Sequence, residues 1–191
     1  YGDSPEESIV VNNTAYLMRR MPLMIFPGNP SEVHFQPVHV RDLAEMAVDL
    51  ANATNESDGS SLNIALDAVG PEKLKFSEFI GLIKQNLNVR CWMMPSFSSF
   101  TRGLSVGLVS RLSAPINYWL NDTFVDAEDL SILVSDIACS KLDPSEGSIV
   151  WGRRPFSKWL AENKNELGRT YINSYQRYYD VEGVKNFKVR T

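Results

Sequence analysis

What most limits the fold of this chain is an alternation. Short apolar runs closed by proline or glycine are interleaved with longer stretches whose apolar residues recur at helical spacing. Leu23-Met24-Ile25-Phe26, closed by Pro27-Gly28-Asn29-Pro30, reads as a strand and then a turn. Val33 to Gln36 looks like the return strand of a small hairpin. Val38-His39-Val40 is a β-branched run after Pro37. It passes directly into Leu43, Ala44, Met46, Ala47, Leu50 and Ala51, an apolar stripe at i, i+3, i+4 spacing, with Asp42 placed as the helix cap. Leu62 to Leu66 alternates like a strand, Gly70-Pro71 punctuates, and Phe76, Phe79, Ile80, Ile83 and Leu87 predict a helix over 76–87. Val89 to Met94 reads as a strand ended by Pro95. Strands and helices in this order predict α/β or α+β layer packing.

The flanks are more helical. Ile9 to Met21 is mostly apolar and predicts a helix ended by Pro22. Residues 54–61 form the most polar stretch and read as an exposed loop. Phe97, Phe100, Leu104, Leu108 and Leu112 mark an amphipathic helix with Arg102 and Arg111, stopped by Pro115. A further helix is expected from about Asp126, and Phe156 to Tyr179 is expected to be helical and rich in aromatics.

Composition excludes several classes. Among 191 residues, 43% are hydrophobic and 22% charged, too apolar for disorder. The net charge of −4 opposes a nucleic-acid surface, which wants a clustered basic excess. No apolar run is long enough to predict a membrane-spanning helix. The two cysteines, Cys91 and Cys139, lack C-x-x-C or metal-ligand spacing and read as reduced thiols. The sequons at Asn12, Asn52, Asn55 and Asn121 are short patterns that arise by chance.

The chemistry-bearing motifs are sparse. There is no G-x-G-x-x-G, no P-loop, no G-x-S-x-G elbow and no Tyr followed four residues later by Lys. The two histidines, His34 and His39, are too few for a His-rich metal site, so no metal is expected. His39 reads either as a strand histidine bonded to backbone or as a ligand-facing residue at the carboxyl end of a sheet. Asp42 reads as a cap; a catalytic role would need a perturbing partner. The aromatics Trp159, Tyr171, Tyr175, Tyr178 and Tyr179 read as core cover.

Phe35-Gln36-Pro37-Val38-His39-Val40-Arg41-Asp42-Leu43-Ala44 resembles a segment of the NAD-dependent epimerase/dehydratase family, the extended and atypical short-chain dehydrogenases. The order around it is similar too: Tyr1-Gly2 before it, then Leu62-Asn63-Ile64-Ala65, a Gly-Pro turn, Leu74-Lys75-Phe76-Ser77-Glu78-Phe79, and a strand ending at Pro95. The Gln-Pro-Val version and the long apolar helix resemble the atypical branch most, which includes the NAD(P)-binding accessory subunit of respiratory complex I. The family usually has Thr or Ser where Lys75 stands.

The resemblance implies an α/β chain, the C-terminal part of a Rossmann-type NAD(P)-binding fold with a mostly helical substrate-side lobe. Residues 1–135 would form that half and 136–191 a helical C-terminal extension. The nucleotide fingerprint and catalytic Tyr/Lys pair would lie upstream of Tyr1, so no catalytic residue is carried over. Gln36 and His39 become the cofactor or substrate cleft candidates. The implied function is the substrate-side portion of an NAD(P)-dependent epimerase, dehydratase or reductase, inactive in isolation. The alternatives are a non-catalytic NAD(P)-binding scaffold or assembly protein and a stand-alone interaction domain. NAD(P) and a small-molecule substrate would be engaged through the N-terminal half. The 97–112 helix would offer a peripheral membrane or protein contact. The compartment would be the cytoplasm, or alternatively the mitochondrial matrix.

Overall fold

The computed structural model describes residues 1–26, 29–56, 66–95, 102–122, 135–142 and 149–173. A short 3-10 turn, Pro5–Glu7, leads into helix α1, Ile9–Arg20, and strand β1, Leu23–Phe26. Strand β2, His34–Phe35, precedes helix α2, Val40–Glu56, and strands β3, Asp67–Val69, and β4, Leu74–Lys75. Helix α3, Phe76–Leu87, leads to strand β5, Trp92–Pro95, and helix α4, Arg102–Leu120. Strand β6, Ile149–Trp151, and helix α5, Phe156–Asn163, follow. Mixed helices and small parallel sheets make this an α/β chain.

Helix α3 lies where its periodicity places it. The Glu78 carboxylate accepts the Lys75 N–H at 2.8 Å, so the first turn is capped without the usual Thr or Ser. Asn88 closes the helix in the left-handed conformation at φ 51°. Phe79, Ile80, Ile83 and Leu87 are buried together with Val11, Ala15 and Met18 of α1 and with Phe156, Trp159 and Leu160 of α5. An aromatic column runs through this core. Phe26 stacks on Phe76 at 4.5 Å between ring centres, Phe79 on Phe156 at 5.1 Å, and Phe156 on Trp159 at 6.0 Å. Residues 156–167, expected within a helical extension, thus contribute a helix and Leu167 to the same core as the N-terminal segment, and β6 ahead of them is a strand.

Strand pairing departs from the local reading. β1 and β2 do not form a hairpin. β1 pairs in parallel with β5, Leu23 opposite Trp92, while β2 pairs antiparallel with β4, His34 opposite Lys75. β3 pairs in parallel with β6, Asp67 opposite Ile149. Parallel partners need long crossover connections, which periodicity within one run does not reveal. Val38-His39-Val40 is no strand. The Tyr1 nitrogen donates to Val38 O and the Val40 N–H to Tyr1 O, and Val40 then starts α2.

Several other elements differ from their local reading or add to it. The apolar stripe of α2 faces outward: Met46 is buried, but Leu43, Ala44, Ala47, Leu50 and Ala51 are exposed. Pro115 does not stop α4, which runs on to Leu120. Asn121 in the left-handed conformation, φ 50°, ends it. Within a helix a proline removes its own N–H bond and crowds the carbonyl four residues back, which kinks a helix without necessarily ending it. Helix α5 ends at Asn163, well short of Tyr179. Strand β3 begins at Asp67, Leu66 is the one described residue of the strand expected over 62–66 and lies outside β3, and residues 54–56 belong to α2. The 57–61 loop, residues 62–65, 97–101 and the helix near Asp126 lie outside the described residues, as do the side chains of 102–110.

The C-terminal turn is held to α1 by side chains that read backbone. Asn12 Oδ1 accepts the Gly168 N–H and Asn12 Nδ2 donates to Thr170 O. Asn13 pairs with both the N–H and the C=O of Ile172, at 2.9 and 2.7 Å. Asn13 is fully buried, so these bonds are shielded from water. Gly168 sits at φ 69°, where a Cβ would stand 2.6 Å from the Ala15 and Tyr16 backbone. Gly168→Ala is therefore expected to lower stability by about 2–3 kcal/mol. Gly81→Ala in α3, where a Cβ meets open space, should raise it by about 0.5–1 kcal/mol. Urea unfolding of the two variants beside wild type checks both signs.

Candidate functional site

The two cleft candidates of the sequence sit in different surroundings. Gln36 is buried and its amide is committed. Nε2 donates to Gly70 O at 3.1 Å, Oε1 accepts the Ser140 N–H at 3.3 Å, and the Gln36 N–H donates to Ala138 O. It holds two loops together and does not line the cavity described next. His34 is similarly tied: its N–H and Nδ1 both meet Asp136, which Lys141 also contacts.

His39 borders a cavity of about 350 Å³, whose walls come from the Asp3 turn, the start of α2 and the start of α5. The His39 ring is buried, at 4% exposure. Val40 is the first residue of α2, so His39 is the cap position. Its Nδ1 accepts the Arg41 N–H at 3.1 Å, satisfying one of the free donors of the first turn. That bond leaves Nε2 as the protonated nitrogen, and Nε2 faces Asp3 Oδ1 at 3.5 Å. Burial lowers the His39 pKa; Asp3 pulls the other way, and Arg154 adds to the lowering. The Tyr1 ring meets His39 edge-on at 4.9 Å. The Tyr1 hydroxyl donates to Arg154 O, and burial first, then the charges of Asp42 and Glu72, push its pKa up to about 12.

Asp42 does not cap its own helix. It stands in the first turn of α2, turned toward the chain 111 residues onward. Its Oδ2 accepts the N–H groups of Arg153 and Arg154 at 2.8 and 2.9 Å, and its Oδ1 meets the Arg154 guanidinium, which also reaches Glu45. Burial alone would raise the Asp42 pKa, but the Arg154 and Arg153 N–H bonds and the Arg154 charge hold it below the usual carboxylate range. The carboxylate needs Gly152 beside it, since a Cβ there would stand 2.7 Å from Oδ2. Sequence reasoning missed this anchor. Its signal was the run Gly152-Arg153-Arg154-Pro155, a compact turn rich in donors just before a helix.

No group of three or more His, Cys, Asp or Glu side chains among the described residues is arranged to hold a metal ion. Cys91 is buried and Cys139 half-buried, both as free thiols. No helix among the described residues is long and apolar enough to cross a membrane. The arrangement around His39 can bind and position polar groups. Both its ring nitrogens are engaged, so it offers no free base.

The anchor predicts both a stability cost and a pH dependence. Asp42→Ala leaves two N–H donors without their acceptor and should cost about 2–4 kcal/mol. Arg154→Gln should cost much less than Asp42→Ala, because that side chain is 39% exposed and its charge is screened. For both His39 and Asp42 the unfolded chain binds a proton that the folded chain resists, so stability falls as pH falls. The His39 contribution declines as pH drops below its ordinary value of 6.5, and the Asp42 contribution as pH drops through and below 3.8. Melting temperatures from pH 8 to 3 should show both declines. His39→Asn, which keeps a capping oxygen, should lack the upper one.

Compared with models of known protein families and with curated proteins, the chain matches none.

Proposed function

We propose that this chain forms the substrate-side portion of an NAD(P)-dependent epimerase, dehydratase or reductase of the short-chain dehydrogenase type, the C-terminal part of a Rossmann-type fold. One observation carries the reading: α2 has its faces reversed for a helix in a finished domain. It buries Asp42 and Met46, while Val40, Leu43, Val48 and Leu50 are 49%, 45%, 58% and 37% exposed. A stripe of that kind calls for cover. The two-stranded parallel pairs support the same reading, because parallel strands normally lie inside larger sheets covered on both faces. The cover on this reading is the nucleotide-binding half of the fold, and the Phe35–Ala44 segment, which resembles the family, is the segment that carries the start of the stripe.

The residues present do not themselves fit the cofactor. With no G-x-G-x-x-G in the sequence, this chain supplies no such glycine cradle for a pyrophosphate, and NAD(P) belongs to the other half. A non-catalytic NAD(P)-binding scaffold is the second reading, favoured by the engaged ring nitrogens of His39. Two free thiols accord with a reducing compartment, cytoplasm or mitochondrial matrix.

The chain alone should give no saturable heat on calorimetric titration with NADPH or NADH. Fused behind the nucleotide-binding half of an extended short-chain dehydrogenase, it should yield one cooperative melting transition and protect Leu43 and Leu50 amides from hydrogen exchange. Micromolar cofactor binding by the chain alone, or two independent melting transitions in the fusion, would overturn the reading.

A further inference from the structure

The cavity beside His39 carries two cationic side chains that neither the Asp42 anchor nor the fold requires, Arg153 and Lys158. Four cations line it, Arg41, Arg153, Arg154 and Lys158, against two carboxylates, Asp3 and Glu162. This occurs in a chain whose net charge is −4. Two of the cations are occupied: Arg41 by Asp3 at 2.7 Å, and Arg154 by Asp42 and Glu45. The other two are less committed. Lys158 faces Glu162 one turn on at 4.0 Å with both side chains well exposed, and the exposed Arg153 side chain makes no ion pair among the described residues. Arg153 and Lys158 flank the first turn of α5, whose position is fixed by the Asp42 bonds to the Arg153 and Arg154 backbone. Trp159, buried behind them with its Nε1–H given to Asp3 O, supplies a rigid apolar wall.

We propose that this cleft binds a small molecule through a dianionic phosphate group, with Arg153 and Lys158 as its charged anchors and Trp159 as the wall for the rest of the ligand. An unpaired guanidinium and a weakly paired ammonium at one mouth suit a dianionic phosphate better than a singly charged carboxylate ligand, and a guanidinium matches phosphate geometry through two parallel N–H bonds. A volume of about 350 Å³ is at the small end for ligand sites and suits one phosphorylated metabolite. The site stands on this cavity alone and does not require the dehydrogenase reading.

Calorimetric titration of the 191-residue chain with inorganic phosphate tests it. One saturable site with a Kd of about 5 mM or tighter is expected, with chloride at equal ionic strength giving none. The Arg153→Ala/Lys158→Ala double variant should weaken phosphate binding by about 10-fold or more, while Arg153→Lys retains most of it. Both side chains are exposed, so the double variant should melt as wild type does. Glycerol 3-phosphate should bind at least as tightly as phosphate, and phosphatidic acid vesicles should add nothing beyond their free phosphomonoester content. No saturable heat up to about 50 mM phosphate overturns the proposal. So does a double variant that binds as wild type, or binding seen with vesicles alone.

Discussion

One buried carboxylate organises the molecule. Asp42 draws the Arg153 and Arg154 N–H groups and the Arg154 guanidinium onto the first turn of α2, and Gly152 leaves the space for it. Burying a carboxylate costs several kcal/mol, so the bonds mainly offset that cost, and their larger consequence is register. With residues 152–154 fixed, β6 lies parallel to β3, Tyr1 reaches Arg154 O, and α5 starts where Phe156 and Trp159 fall into the core. The His39 cap and the cavity walls follow from the same placement.

The apolar core and the polar anchors divide the work. The aromatic column from Phe26 through Phe76, Phe79 and Phe156 to Trp159 supplies non-directional burial, which would tolerate several relative placements of its elements. The polar contacts remove that freedom. Asn12 and Asn13 fix which backbone groups of residues 168–172 lie on α1, and Gln36 fixes the separation of the Gly70 and Ser140 loops. A fully satisfied buried amide tolerates few alternatives, because any shift of about 1 Å leaves a donor or acceptor unpaired in low dielectric.

Local features were legible in the sequence and long-range ones were not. Helices α1 and α3 and strand β1 could be read because apolar spacing, a proline and a nearby acid act within a few residues. The pairing of β1 with β5 was not legible, because parallel partners are joined through helices and carry no turn signature. The Asp42 site was half legible. An acid at a helix start suggested a cap, yet the cap is His39, and the acid serves a turn distant in sequence. The α2 stripe was legible as apolar but its exposure was not, since periodicity reports that a face wants cover and not which element provides it.

That last mismatch constrains the molecule further. The buried face of α2 is the one carrying Asp42, so the helix is fixed by a polar contact and leaves its apolar face open. A helix held only by apolar contacts would roll about its axis to bring such a stripe under cover. The Asp42 bonds and the His39 cap prevent that roll, because both act at the same first turn and fix its azimuth. The outward stripe is therefore a consequence of where the sequence places its strongest polar contact. The same contact sets Arg153 at the mouth of the cavity, so the orientation of the apolar face and the charge of the cleft are two results of one placement.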